Sequence, residues 1–262
     1  MNLTVLKFEV TENVAVIKMN NPPVNALTPT FLEEFRYIIE KIRNSEMARA
    51  AVLASECPGF FSAGDDVNKL RDIDEELIAL LPEVHSVLNT FEALPIPTVA
   101  AINGHALGGG LELALTCDFR FMGKDSGRIG LPEVRLGMIP AFGGTQRLPI
   151  LVGKSKAIEM MYKGLQITPE EAKEIDLINN IFPGAALYEK SFDYARRLAR
   201  QATGAIARIK KCVHTGISEG FEKGLSMERE SFRENIVTSD AAEGIDAFLS
   251  GRKPEFKGNS KK

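Results

Sequence analysis

The sequence predicts an α/β fold, and three observations carry that prediction. Apolar runs of strand length alternate with segments of helical periodicity over roughly the first two thirds of the chain. Two of the runs, Ala50 to Ala54 and Thr98 to Ile102, are short and almost wholly apolar, as buried strands are. From about Thr168 the pattern turns to helices. Alternation of this kind argues for one mixed core rather than separate all-β and all-α parts.

Taken in order, Val14-Ala15-Val16-Ile17-Lys18-Met19 reads as a strand, ended by Asn20-Asn21-Pro22-Pro23. Thr28 offers an N-cap and Pro29 a first helical position. Phe31, Phe35, Ile38, Ile39 and Ile42 then recur at helical spacing, so this helix buries one face. After the Ala50 strand comes a loop with glycine and proline, Cys57 to Asp66. Pro82 to Leu94 fits a helix. The Thr98 strand leads through a glycine-rich turn into a helix from about Gly109 to Thr116. Thr168-Pro169-Glu170-Glu171 is a capping box with proline at its first position. Phe221, Leu225, Glu228 and Phe232 form a late stripe broken by one charge. It serves either packing on the same chain or a subunit interface.

The 262 residues suffice for one large domain, or for one with a small appendage. Hydrophobic residues at 44% and charged residues at 26% are the balance of a soluble globular protein. A formal net charge of −3 supplies no basic field to recruit nucleic acid. No run of 18 apolar residues is present, so no membrane-spanning helix is expected. Met1-Asn2-Leu3-Thr4-Val5 has neither the charged nor the long apolar region of a signal peptide. Cys57, Cys117 and Cys212 are odd in number and lack metal or redox spacing. A reducing cytoplasm is therefore expected. His85, His105 and His214 are also isolated, so no metal site is expected.

Two glycine-rich loops offer chemistry. The first is Phe60-Phe61-Ser62-Ala63-Gly64-Asp65-Asp66; the second runs from Asn103 through Gly108-Gly109-Gly110 to Glu112. A helix start carries unpaired backbone N–H groups and a partial positive charge, which suit an anion or a carbonyl oxygen that becomes one. Three glycines in a row also let a ligand lie against the backbone. Close helix–strand packing would account for the same glycines. Glu112 lies about one turn beyond Gly109, placed either beside such a ligand or simply to complement the helix dipole. Glu133 follows Pro132 in a loop, where a lone carboxylate is ordinarily a solvated charge. With Glu112 it could form a pair that divides acid and base duties around one water.

Better-known motifs fail. Gly153-Lys154-Ser155 resembles the end of a phosphate loop, but residue 148 is Leu where the motif needs Gly. The Gly104 loop lacks the dinucleotide fingerprint G-x-G-x-x-G. Ser62 lacks the leading glycine of a nucleophile elbow, so a serine triad with His105 or His214 and Asp118 has little support.

The whole run of loops resembles the enoyl-CoA hydratase/isomerase (crotonase) family. Phe61 to Asp66 is similar to that family's first oxyanion loop. Asn103 to Ala114, continued by Cys117-Asp118, is similar to its second. Gly130-Leu131-Pro132-Glu133 and Leu136-Gly137-Met138-Ile139-Pro140 resemble its second-carboxylate segment. Gly143-Gly144-Thr145-Gln146-Arg147-Leu148, Asn25-Ala26-Leu27 and Arg252-Lys253-Pro254-Glu255-Phe256 match as well. The resemblance covers nearly the full length in the right order.

It implies a spiral of strand–strand–helix turns over residues 1–200 and a C-terminal helical oligomerisation region over 201–262. It also implies a homotrimer, often paired as a homohexamer. The implied substrate is an acyl-CoA, with no further cofactor and no metal. Backbone N–H groups of Asp65 and Gly109 would hold the thioester oxygen. Glu112 would activate water and Glu133 would deliver the proton to C2. Ala26 and Ala63 would meet the coenzyme A end, and Lys253 and Phe256 resemble residues that reach that site, sometimes a neighbour's. Fatty-acid oxidation is the default pathway.

Two departures stand out. Asp65 occupies an oxyanion position where a small residue is common, so its carboxylate should point away from a developing enolate. Ala141-Phe142 adds bulk where the acyl group and water should sit, which points to an altered chain length or branching. An isomerase, a decarboxylase and a thioester hydrolase share the family's chemistry, but a pair of glutamates favours the hydratase. A serine hydrolase and a non-catalytic acyl-CoA binding protein are the remaining readings.

Overall fold

The computed structural model describes residues 1–64 and 78–258. Ten strands are described: β1 (Leu6–Thr11), β2 (Val14–Met19), β3 (Ala50–Ser55), β4 (Phe60–Ser62), β5 (Thr98–Ile102), β6 (His105–Leu107), β7 (Phe119–Gly123), β8 (Ile129–Gly130), β9 (Gln166–Ile167) and β10 (Asn180–Phe182). They form a six-stranded sheet in the order β1-β2-β3-β5-β7-β10 and a four-stranded sheet in the order β4-β6-β8-β9. Strands β2 to β10 of the large sheet pair in parallel, and β1 closes its edge as the antiparallel arm of a hairpin. Each turn of chain lays one strand in the large sheet and the next in the small one. A helix follows: α2 (Leu81–Glu92) after β3 and β4, and α3 (Gly109–Leu115) after β5 and β6. This is the α/β spiral of strand–strand–helix turns that the resemblance implies.

Alternation along the strands explains the layering, because successive side chains point to opposite faces. Ala15, Ile17, Met19, Leu53 and Ile102 enter the main core, while Val14, Val16, Val52, Val99 and Ala101 enter a second core. The first is covered by α1 (Pro29–Arg43), which buries Phe31, Phe35, Ile38, Ile39 and Ile42 as its spacing predicts. Thr28 caps α1 through its hydroxyl, which accepts from the Phe31 N–H. The second core is roofed by α7 (Gly184–Ala199), through Leu187, Ala195 and Ala199. Between them lie a 3₁₀ turn (Glu133–Leu136), α4 (Gly144–Val152), α5 (Lys154–Lys163) and α6 (Pro169–Glu174), the last opened by the Thr168–Glu171 capping box. The chain ends with α8 (Thr203–Glu219), α9 (Phe221–Asn235) and α10 (Ser239–Leu249). Among the described residues no helix is long and apolar enough to cross a membrane.

Three expectations need correction. The Cys57–Asp66 loop contains β4, and the glycine-rich turn after Ile102 contains β6. These three-residue strands are too short to show a period and are held by neighbouring strands rather than by their own pattern. The helical final third also begins less cleanly than its pattern suggests, since β10 lies beyond Thr168 and two helices precede it.

Candidate active site

Strand β6 passes into α3 through Gly108 alone, whose backbone (φ 53°, ψ −128°) suits glycine. The Gly108 N–H donates to Gly130 O of β8 (3.0 Å), and its own carbonyl accepts from the Glu112 N–H (3.0 Å). All seven residues of α3 are buried. Gly110 is pressed against β4: a Cβ there would meet the Ser62 carbonyl group. Close approach to that backbone, rather than turn geometry, is what requires glycine at 110. Gly109 opens the helix, so its N–H has no acceptor within it. It packs beside Gly64, a Cβ on which would lie 2.7 Å from the Gly109 nitrogen.

Glu112 stands one turn further on and is 2% exposed. Its Oε1 accepts from two backbone groups of one distant loop, Phe142 N (2.8 Å) and Gly144 N (2.6 Å). Two donors on one oxygen fix the plane of the carboxylate. Glu133 is the first residue of the 3₁₀ turn. Its Oε1 lies 3.0 Å from where a Cβ of Gly108 would be. The loop glutamate is thus half-buried against the start of α3 rather than a solvated surface charge.

Both glutamates, with Gly108 and Gly109, open onto one cavity of about 370 Å³. Its walls are otherwise apolar: Leu27, Leu32, Leu81, Val84, Leu107, Met138, Ala141 and Phe142 are among them. Glu112 and Glu133 are the only ionisable side chains among the described residues that line it. Ala63 lines the cavity too, though its N–H already donates to Val24 O (3.0 Å). Phe142 is 6% exposed, and its ring lies where a Cβ of Gly109 would go.

The other expected site residues fall elsewhere. Ala26 is half-buried beside the cavity; its neighbour Leu27, whose N–H donates to Gly64 O (3.0 Å), is the one that lines it. Asp65 lies outside the described residues. Lys253 and Phe256 are not brought to the cavity within one chain. Phe256 packs over Gly244 of α10, and its carbonyl accepts from Arg49 Nη1 (3.0 Å).

The serine triad does not assemble. Ser62 is fully buried, donates to Asn25 O (2.7 Å) and accepts from Gly64 N (3.1 Å). Asp118 accepts from Thr98 and from Lys210 Nζ (2.9 Å). His105 Nδ1 accepts from Arg128 N (3.1 Å). The thiols are no better nucleophiles. Burial pushes Cys57 up, and it pushes Cys117 up to about 12, so both stay protonated at neutral pH.

Sequence reasoning picked out Ala141-Phe142 and the Gly143 to Leu148 segment but missed that they orient Glu112. Phe142 and Gly144 act through backbone N–H groups, which leave no mark in side-chain chemistry. Arg147 holds the same loop through the Phe142 carbonyl. Asn25 belongs to a segment that the resemblance picks out, but its structural role was not foreseen. It is 2% exposed and ties Asn21 to Ser55 Oγ and Phe61 O, fixing the segment that runs beside Ala63.

The chain is similar over nearly its whole length to proteins of one family. The family model described as enoyl-CoA hydratase/isomerase matches residues 9–259. A probable enoyl-CoA hydratase of Bacillus subtilis (strain 168) is 36% identical over 259 residues, which is 98% of this chain and 100% of that protein. The mitochondrial methylglutaconyl-CoA hydratase of Mus musculus is 36% identical over 89% of this chain and 76% of its own length. The crystal structure of an enoyl-CoA hydratase from Geobacillus kaustophilus HTA426 superposes with a TM-score of 0.94 at 38% identity, covering 98% of each chain. The chain belongs to the enoyl-CoA hydratase/isomerase family.

Proposed function

We propose that the protein is an enoyl-CoA hydratase, adding water across the C2–C3 double bond of a trans-2-enoyl-CoA. The observation that carries this reading is the convergence of Glu112, Glu133 and Gly109 on one apolar cavity. Glu112 takes a proton from water as the oxygen bonds to C3. The π electrons move through C2 to the thioester oxygen. The N–H of Gly109, with that of Asp65 by family resemblance, holds the resulting enolate; each such donor typically contributes about 2.7–4 kcal/mol. Glu133 then protonates C2 as the enolate collapses. Coenzyme A is the handle of the substrate, and no further cofactor takes part.

The apolar walls suit a neutral hydrocarbon acyl chain. An acyl chain ending in a carboxylate would meet two glutamates and no cation among the described lining residues, which disfavours it. For the assembly we adopt the homotrimer or homohexamer of the resemblance. Exposed Val213, Ile217, Phe221, Phe232 and Phe248 on α8 to α10 support an interface there.

Loss of enoyl-thioester absorbance tests the activity, with crotonyl-CoA, longer straight-chain enoyl-CoAs and one acidic enoyl-CoA as substrates. Turnover of a neutral substrate, reduced about 10²- to 10⁴-fold in both E112Q and E133Q, is expected. Full activity in either variant would remove that glutamate from the mechanism.

A further inference from the structure

Four residues, Ala141 to Gly144, supply both N–H donors to Glu112; they follow the 3₁₀ turn and run into the first residue of α4. Their carbonyl groups are gripped in turn. Arg147 Nη1 donates to Phe142 O (3.1 Å), and its Nε and Nη2 both donate to Glu92 Oε2 (2.9 and 2.7 Å). Nη2 also donates to Asn89 Oδ1 (2.6 Å). The guanidinium fills the space into which a side chain at Gly143 would project, and its side chain is 11% exposed. One residue earlier, His85 Nε2 lies 2.6 Å from Ala141 O. A carbonyl only accepts, so that nitrogen carries the proton.

His85, Asn89 and Glu92 are spaced i, i+4, i+7 on α2 and share one face of it. Leu81 and Val84 of the same helix line the cavity. One helix therefore both walls the substrate space and grips the loop that aims the carboxylate.

We infer that Arg147, anchored by Glu92, and His85 are positioning residues for Glu112, acting through the Ala141–Gly144 loop. A planar fork with three separate acceptors explains arginine at 147. Lysine would bring one point charge and could not hold Phe142 O, Glu92 and Asn89 together. The catalytic consequence rests on the hydratase reading; the clamp on the loop does not.

Two measurements on the full-length protein test this. Labelling with ¹³C-carbonyl, ¹⁵N-glycine isolates the amides of Gly109, Gly110 and Gly144, the glycines that follow another glycine. R147K and H85A should each move the Gly144 amide resonance toward its position in E112Q. A Gly144 resonance unmoved in R147K would overturn the inference. In turnover, R147K should lower kcat about tenfold to a hundredfold with KM within about twofold, as expected when a reacting group is misaimed. In an E112Q background, R147K should lower kcat no further, because it acts through the missing carboxylate. An equal loss in both backgrounds would contradict the inference. If the wild-type protein hydrates no enoyl-CoA, the hydratase reading fails, and the Gly144 resonance alone decides the clamp.

Discussion

Substituting Gly110 by alanine tests whether the contact between α3 and β4 sets the geometry of the site. The added methyl would press into the Ser62 carbonyl oxygen, 2.7 Å from its carbon and 2.9 Å from the Ser62 Cβ. An unstrained carbon pair sits at about 3.5–4.0 Å, so helix and strand must part by roughly 1 Å. The obstacle is backbone on both sides, so no rotamer relieves it. Overpacking costs about 1–3 kcal/mol, and the better helix propensity of alanine offsets at most about 1 kcal/mol. A net loss of about 1–2 kcal/mol lowers Tm by roughly 2–8 °C at this chain length. The same displacement moves the Gly109 N–H relative to the rest of the cavity lining, where about 1 Å can cost up to 100-fold in rate. Calorimetric melting and enoyl-CoA turnover read the two effects. Gly184 is the control: a Cβ there meets nothing within 4 Å, so G184A should melt with or slightly above the wild type. A G110A protein with wild-type Tm and kcat would refute the packing argument.

Three further outcomes are expected. Glu34 is 3% exposed and accepts from Thr4 N and Oγ1, Val5 N and Leu6 N. Burial pushes its carboxyl up, but these four bonds outweigh burial and hold it below the ordinary 4.5. Its contribution is therefore fully present above about pH 4.5 and lost as pH falls through the lowered value. E34Q should lower stability by about 1.5–3 kcal/mol at neutral pH, and the gap from wild type should close in acid; a gap independent of pH would refute this. F142A should raise kcat/KM for longer or branched enoyl-CoAs relative to crotonyl-CoA, since the ring occupies cavity wall against Gly109; an unchanged ratio would show that the ring does not limit the acyl chain. Light scattering should give three or six times the 28.7 kDa protomer mass, and deletion after Thr203 should give unstable or aggregated protein; a soluble, active monomer from that deletion would contradict the assembly.

What the sequence reveals depends on whether a signal is local. Helix α1 is legible because Thr28, Pro29 and the Phe31–Ile42 stripe all lie within it. The start of α3 at Gly109 and the limits of β5 are legible for the same reason. Strands β4, β6 and β8 are two or three residues long, and they exist only because neighbours pair with them. Strand β1 also carries a local signal, the alternating Leu6, Phe8 and Val10. In α4, the internal Pro149 hides the helix from pattern reading.

The site divides in the same way. Gly109 and Glu112 are one turn apart in one segment, so their relation can be reasoned from spacing. That Glu133 lines the same cavity could come only from the family motif, because it lies 21 residues beyond Glu112, past strands of both sheets. The donors to Glu112 are backbone groups 30 and 32 residues away. Arg147 reaches Glu92 across 55 residues. No local pattern encodes either contact.

The reaction proposed for this site is addition of water across C2–C3. Product analysis in D₂O by NMR, with the wild-type protein and a neutral trans-2-enoyl-CoA, tests it most directly. The expected product is the 3-hydroxyacyl-CoA carrying one solvent deuteron at C2, formed at strongly reduced rates by E112Q and by E133Q. A double bond moved to C3–C4 without a hydroxyl, or free acid with released coenzyme A, would contradict the account and replace hydration with isomerisation or thioester hydrolysis.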